Sequence, residues 1–303
     1  MHFQQTEKWF KAKASKSVDF VFLCKEGIFV QLNKIPLTFY KYAYIPRVDV
    51  TKLDLDGLKK ILRKKRCIAF QVDPINEYED GLNTSFIKFR RVPPVALQYN
   101  VIIDVSKPLD EILKTFKPKH RYNLKIAERS GLEFRFSTNM DDLSKFVKLY
   151  QDTAKRHSYI PRTPEYINSV WSNFSGCAFI ASVMFKDEIL SSWFIIQNED
   201  TFYYLYGGSV EKYKSKMPSY FLLWNIIKEA KSRGVKYIDL MGIKDPRIYA
   251  SKDGFTRFKL GWTNGKYIKY LDSFEVVINP IIFWPFNLVR KVRDRFSFLK
   301  KLF

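Results

Sequence analysis

Histidine and cysteine are scarce in this chain, with three of each among 303 residues. Cys24, Cys67 and Cys177 are isolated from one another, odd in number and set among apolar neighbours. That pattern gives neither a disulfide framework nor metal-ligand spacing, and buried thiols are expected. His120 and His157 lie in polar, basic surroundings with no carboxylate or second histidine at ligand spacing, so no metal and no catalytic histidine is expected. Long apolar runs are missing too. The longest candidate, Val276 to Phe286, is interrupted by Pro280 and Pro285 and falls short of the roughly 20 residues a spanning helix needs. The opening MHFQQTEKWF has no basic stretch leading into an apolar segment and a small-residue cleavage site, so a cytoplasmic protein is expected.

Apolar residues make up 46% of the chain and aromatics 17%, enough to bury the cores of two compact domains. Fifty-two Lys and Arg against 31 Asp and Glu leave a net charge of +21. Such a surplus points to an anionic partner, and nucleic acid, an anionic bilayer face and a phosphorylated substrate all satisfy the sign. A lysine-decorated, solvated surface satisfies it as well.

The order of elements points to an α+β fold. Val18 to Leu23 and Ile28 to Leu32 read as strands around a Lys25-Glu26-Gly27 turn, followed by a helix over Asp54 to Arg66 with Asp54 as N-cap and a strand over Cys67 to Val72. Val101 to Val105 is a further strand. A basic helix from about Pro118 to Ser130, with Gly131 as C-cap, opens the second half. Helices over Met140 to Arg156 and from Thr163-Pro164 lead into a meander of three strands, Ala178 to Phe185, Glu188 to Gln197 and Thr201 to Gly207. The helix Ser219 to Arg233 and the strand Tyr237 to Met241 follow. Strands, helix, strand is the order of the acyl-CoA N-acyltransferase (GNAT) unit, and the first hundred residues show a fainter copy of it. Two tandem units with mixed sheets and flanking helices are therefore expected, on element order alone, since no sequence repeat accompanies them. The expected division is 1–104 for a first, acceptor-binding unit, 105–272 for a second, donor-side unit, and 273–303 for a basic tail.

Where an acetyltransferase would cradle the coenzyme A pyrophosphate on glycines, this chain reads Lys212-Tyr213-Lys214-Ser215-Lys216-Met217-Pro218-Ser219, with no glycine. The fold without acetyl-coenzyme A is expected, with the lysines near an anionic donor.

Seven motifs, in order, give the chain its resemblance to a known family. They are Phe3-Gln4-Gln5 through Trp9 to Lys13; Tyr44-Ile45-Pro46-Arg47 with Asp49; Lys117-Pro118-Lys119-His120-Arg121-Tyr122-Asn123-Leu124; Arg162-Thr163-Pro164-Glu165-Tyr166; the stretch Tyr203 to Ser209; the segment Pro218 to Ile243; and Phe255 to Gly261. Together they resemble the Fem family of peptidoglycan bridge aminoacyltransferases over some 260 residues. The helical arm of FemA and FemB has no room here, so the size is closer to FemX.

The resemblance implies a tRNA-dependent aminoacyltransferase of cell-wall biogenesis. Its donor is an aminoacyl-tRNA, its acceptor a UDP-linked or lipid-linked muropeptide precursor, and no further cofactor is needed. An activated ester asks for positioning and charge stabilisation more than for covalent catalysis. By the same resemblance Lys259, beside Phe258, is the cation at the developing oxyanion; a solvated strand lysine is the plain alternative. Lys11, or Lys13 instead, and Arg162 take the family position that binds the precursor diphosphate, and Tyr166 shares the face of Arg162. Tyr44 and Asp49 resemble the acceptor-contacting pair, Asp49 holding the incoming amine or taking its proton, or else serving as an ordinary turn residue. Tyr204 and Tyr206 precede Gly207-Gly208, where a bound chain would approach the backbone, or are core tyrosines.

Lys117, Lys119 and Arg121 on the basic helix are candidates for tRNA phosphates, or a solvated cationic face. The basic tail either rests on an anionic leaflet or packs on the first unit. Other readings of the whole chain are transfer to a protein or lipid acceptor, and a non-catalytic RNA- or membrane-binding module.

Overall fold

The computed structural model describes residues 1–15, 17–25, 27–78 and 89–299, the last seven for their backbone only. Glu26 of the expected first turn, and Lys300 and Lys301 of the tail, lie outside the described residues. The chain forms two units, one comprising Leu97–Lys269 with Met1, the other His2–Ala96 with the segment from Tyr270 onward.

The unit made by the chain's two ends carries a six-stranded sheet of order β1-β2-β3-β4-β13-β5. Its strands are β1 (Val18–Leu23), β2 (Ile28–Lys34), β3 (Lys41–Val48), β4 (Cys67–Pro74), β5 (Arg90–Arg91) and β13 (Phe274–Val277). The first three are antiparallel, and β3 then runs parallel to β4 through the crossover helix α2 (Leu55–Lys64). Asp54 caps that helix by accepting the Gly57 N–H at 2.9 Å, and Leu58 and Leu62, one turn apart, are fully buried against the sheet. The short helix α1 (Glu7–Lys13) precedes β1. At the other end α10 (Pro280–Leu299) packs Phe283 on Ile68 and Ala69 of β4. The buried Glu275 of β13 accepts from Arg290 at 3.0 Å, Arg90 at 3.2 Å and the Tyr42 hydroxyl. A buried carboxylate with two guanidinium partners and a phenol is satisfied, so this node holds α10, β5 and β3 to one strand.

The other unit has a seven-stranded sheet of order β12-β6-β11-β10-β9-β8-β7. The strands are β6 (Tyr99–Asp104), β7 (Glu133–Ser137), β8 (Ala178–Phe185), β9 (Glu188–Asn198), β10 (Thr201–Ser209), β11 (Tyr237–Ile243) and β12 (Ile268–Lys269). Helices α3 (Leu109–Lys114), α4 (Pro118–Glu128), α5 (Met140–Arg156) and α6 (Pro164–Asn173) lie before the meander. After it come α7 (Pro218–Ser232), α8 (Pro246–Tyr249) and α9 (Gly254–Leu260). Here too an antiparallel meander, β8-β9-β10, is followed by a crossover helix, α7, and a parallel neighbour, β11. The core joins Trp193, Phe202, Leu222, Ile226 and Trp262.

The division at 104 expected from the sequence is displaced. The strand assigned there to the first unit is β6, which pairs antiparallel with β11 and buries Val101 and Ile103 in the second unit's core. The boundary falls before it, at Leu97, and the return to the first unit starts at Tyr270 rather than 273.

Candidate functional site

The parallel pairing of β10 and β11 stops at Tyr203 and Asp239, although β10 continues to Ser209 and β11 to Ile243. The sheet splits there, and Lys259 of α9 occupies the β11 side of the split. Its ammonium donates to the carbonyl oxygens of Gly242 at 3.1 Å and Met241 at 3.4 Å, and stands 3.8 Å from the centre of the Phe255 ring and 5.4 Å from that of Tyr204. The side chain is buried, which excludes the solvated strand lysine: the residue is helical and enclosed. Burial depresses its pKa from 10.5 to about 7, with Asp239 and Asp253 opposing the shift. A lysine in that state changes charge near neutral pH.

The carbonyls that hold Lys259 are themselves aimed by Asp239, a residue not singled out in the sequence. Its carboxylate accepts the Met241 N–H at 2.6 Å and the Asn100 amide at 3.0 Å. Met241 adopts φ 62°, and the register with β6 shifts between Asp239 and Gly242. A non-glycine residue in the left-handed region is costly unless its surroundings fix it, and the Asp239 bond does so. His120 is the second unanticipated residue. Its Nε2–H donates to the Phe258 carbonyl at 2.9 Å, and its ring lies among Tyr220, Phe258 and Trp262. Burial pushes its pKa down, which favours the neutral ring, and its Nδ1 is buried without a hydrogen-bond partner. Read as polar and basic from its neighbours in sequence, His120 is instead a buried strut of α9. Phe258 lies beside it in the aromatic core as a wall rather than a reacting group.

A bulge at Leu205 sends the two candidate tyrosines of β10 to opposite faces. Tyr204 stands opposite Ile195 and Tyr206 opposite Phe194, so the alternation skips one residue. Tyr204 stacks on Trp193 at 3.9 Å, on the Lys259 face. Tyr206 joins Phe194 and Tyr150 on the other, where its hydroxyl neighbours the Tyr166 hydroxyl and the Arg162 side chain. The glycines that follow serve this packing. A Cβ at Gly207 would stand 2.2 Å from the Tyr204 hydroxyl, and one at Gly208 would stand 2.9 Å from the Leu149 carbonyl of α5.

Arg162 is exposed just before α6, with its guanidinium 5.4 Å from the Tyr166 ring centre and its backbone N–H donating to the Tyr150 hydroxyl at 3.2 Å. Burial and the neighbouring Tyr206 raise the Tyr166 pKa, so its hydroxyl stays protonated. Arg162, Tyr166 and Tyr206 thus form one cluster, a cation beside two phenols, suited to an oxyanion such as a phosphate.

In the other unit the Tyr44 hydroxyl donates to Asp73 at 2.8 Å, and the same carboxylate oxygen accepts the N–H groups of Val95 at 3.0 Å and Ala96 at 2.8 Å. Asp73, not Asp49, is therefore the partner of Tyr44. Asp49 caps the turn that follows β3, accepting from the Thr51 hydroxyl at 2.7 Å and the Asn76 amide at 2.8 Å. These bonds hold its pKa down, and a carboxylate stabilised in that way is a poor base. The catalytic assignment of Asp49 gives way to the turn role. Lys11 pairs with Glu7 one turn earlier at 2.8 Å, and Lys13 lies 5.5 Å from the Trp9 ring centre.

Lys117, the N-cap of α4, and Lys119 in its first turn are exposed, whereas Arg121 is half-buried and donates to the Phe116 carbonyl. The lysines of the glycine-free turn are all engaged: Lys212 with Glu188 at 2.8 Å, Lys214 with Glu211 at 3.1 Å, and Lys216 with the Ser130 carbonyl at 3.0 Å. They brace the turn. Its left-handed positions are Tyr213 and Met217, with φ 58° and 54°.

The family described as "Acetyltransferase (GNAT) domain" matches residues 115–264. Over most of its length the chain is similar to the aminoacyltransferase FemA of Staphylococcus aureus strain MW2, at 19% identity with 87% of this chain and 86% of that one covered. It is similar also to the lipid II:glycine glycyltransferase of S. aureus strain USA300, at 20% identity with 88% and 83% covered. In structure it superposes on FemX with a TM-score of 0.80 at 18% identity, covering 93% and 94% of the two chains. The chain is thus similar to Fem-family proteins in sequence over most of its length, and to FemX in fold. The C-terminal domain of a lysylphosphatidylglycerol synthetase from Agrobacterium fabrum shares the fold at a TM-score of 0.58 and 16% identity, covering 92% and 89%. Both units of this chain are GNAT-like, and the repeated meander, crossover helix and parallel strand is the reason.

Proposed function

We propose that this chain transfers an aminoacyl group from aminoacyl-tRNA to the stem-peptide amine of a peptidoglycan precursor. The amine nitrogen attacks the ester carbonyl, a C–N bond forms, the C–O bond to the tRNA ribose breaks, and the amine proton leaves with the departing hydroxyl. The observation that carries the reading is the buried Lys259, held by two carbonyls at the split between β10 and β11. A cation fixed before reaction costs no reorganisation as negative charge develops on the carbonyl oxygen. Arg162 with Tyr166 and Tyr206 supplies a site for the precursor's phosphates, and the exposed lysines of α4 supply affinity for tRNA. Names of the relatives support the reaction class; the donor, the acceptor and the roles of these residues are our reading.

Incubating the purified protein with mixed charged tRNA and either nucleotide-linked or lipid-linked precursor, then weighing the products, tests it. The expected result is a precursor heavier by one or more amino-acid residues, abolished by Lys259→Ala. Charged tRNA that survives unchanged with both precursors overturns the proposal.

A further inference from the structure

The helix α10 is apolar on two opposite sides. Its inner side, with Phe283 and Phe286, packs against β4 and Tyr42. Ile281, Trp284, Leu288 and Val292 recur at spacings of three and four residues on the other side, and all are exposed, Ile281 by 83% and Leu288 by 64%. The turn between β2 and β3 adds Leu37 and Phe39, exposed by 106% and 83%. Ile35 and Tyr40, which flank that pair, pack in the same cluster as Phe283 and Ile282, so turn and helix adjoin. Large apolar side chains gathered at one end of a sheet, rather than scattered singly, mark an interaction surface.

The rim of this surface decides its partner. Segments 34–41, 60–72 and 276–292 contain no Asp or Glu and nine Lys or Arg. Arg63-Lys64-Lys65-Arg66, at the end of α2, is exposed throughout. It is tied to the same end of the sheet, since Arg63 donates to the Ile278 carbonyl just before α10 and the Lys41 N–H donates to the Arg66 carbonyl. A second copy of this chain would bring one positive rim against another, which opposes association. An anionic bilayer reverses the sign: basic side chains meet lipid phosphates while Trp, Ile and Leu enter the boundary of the acyl chains. Among the described residues no helix is long and apolar enough to cross the membrane, so the helix would lie along the surface.

We infer that α10 and the β2–β3 turn form a docking face for an anionic lipid bilayer, apolar at its centre and basic at its rim. The inference goes beyond the transfer reaction and stands without it, because it needs only the protein and lipid.

Flotation of the full-length protein with vesicles tests it directly. Vesicles of phosphatidylcholine mixed with phosphatidylglycerol should carry the protein at low salt, and vesicles of phosphatidylcholine alone should carry at least about tenfold less. Raising the salt to about 1 M should release it, since the Debye length then shrinks to about 3 Å. Trp284→Ser with Leu288→Ser should lower the partition coefficient by at least about tenfold, and Lys64→Gln with Lys65→Gln should lower it severalfold. Circular dichroism melts matching the parent would show that these surface changes leave the fold intact. Equal binding to neutral and anionic vesicles, or parent-like binding by the Trp284→Ser, Leu288→Ser variant, would overturn the inference. So would absence of vesicle binding together with a dimer in sedimentation that the same variant dissolves.

Discussion

The Lys259 ammonium and the Gly242 carbonyl oxygen are 3.1 Å apart, joining the helix α9 to the strand β11 beyond the point where β11 has left its parallel neighbour. Lys259 thus spans a gap that backbone pairing leaves open, and its charge state becomes the main variable of the site.

Burial holds the Lys259 pKa at about 7. If the cation stabilises the oxyanion, single-turnover transfer should fall as pH rises through about 7, with the slope of log rate approaching about −1. A rate that rises through the same range would assign the lysine to proton abstraction instead. Stability should move the opposite way. The unfolded lysine keeps its proton to about 10.5 while the folded one loses it near 7, so the unfolded state binds more protons between these values and stability rises with pH there. Urea unfolding at several pH values should show that rise in the parent and a flatter course in Lys259→Met.

Arg162→Ala should weaken binding of the precursor by about 1.5–3 kcal/mol, the range for a hydrogen bond to a charged group. Lys at this position should restore only part of the loss, because a point charge cannot reproduce the guanidinium fork. Calorimetric titration with precursors that carry or lack the diphosphate checks the assignment, and equal affinity for both would remove it.

His120→Ala should lower kcat more than it raises KM for either substrate, by removing the strut that fixes the Phe258 carbonyl one residue before Lys259. Because His120 acts through α9, the pH at which activity falls should shift as well, a change that a merely destabilised protein would not show. His120→Gln, which offers a donor of similar reach, should recover part of the rate. Identical pH profiles in parent and His120→Ala would leave His120 a packing residue.

Two glycines test the packing of the site. Gly208→Ala drives a Cβ to 2.9 Å from a backbone carbonyl of α5, and should cost about 1–3 kcal/mol in urea unfolding. Gly254→Ala, in the first turn of α9, meets nothing closer than 4.0 Å and should be neutral or stabilising by up to about 1 kcal/mol.

Much of this arrangement was legible in the chain. The meander, the crossover helices and the Asp54 cap follow from local periodicity and capping chemistry, which act within a few residues. Lys259 and Arg162 were singled out through motif order rather than through their surroundings. What escaped depends on bonds between distant segments: Asp73 is bonded by Tyr44 across 29 residues, and His120 by Phe258 across 138. Nothing near them in sequence signals burial, and His120 has lysines at 117 and 119. The bulge at Leu205 likewise leaves no mark in the alternation of YYLYGG, yet it decides which tyrosine faces Lys259.

The basic helix carries the remaining prediction, and the structure divides its three candidates. Lys117 and Lys119 project into solvent, where replacing both with Gln should raise KM for charged tRNA and leave acceptor KM unchanged. The dependence of log affinity on log salt should flatten by up to about 0.7 to 0.9 for each phosphate no longer neutralised, because fewer counterions are released. Arg121 turns inward to the Phe116 carbonyl, so Arg121→Gln should lower stability by about 1 kcal/mol and change the salt slope little. A charged hairpin with only the acceptor end should feel the double lysine change less than whole tRNA does, since it offers fewer phosphates. Filter binding across a salt series separates the outcomes. A slope unchanged in the Lys117→Gln, Lys119→Gln variant would make this helix solvated surface, and a slope that falls on changing Arg121 alone would mean that its bond to Phe116 opens when RNA binds.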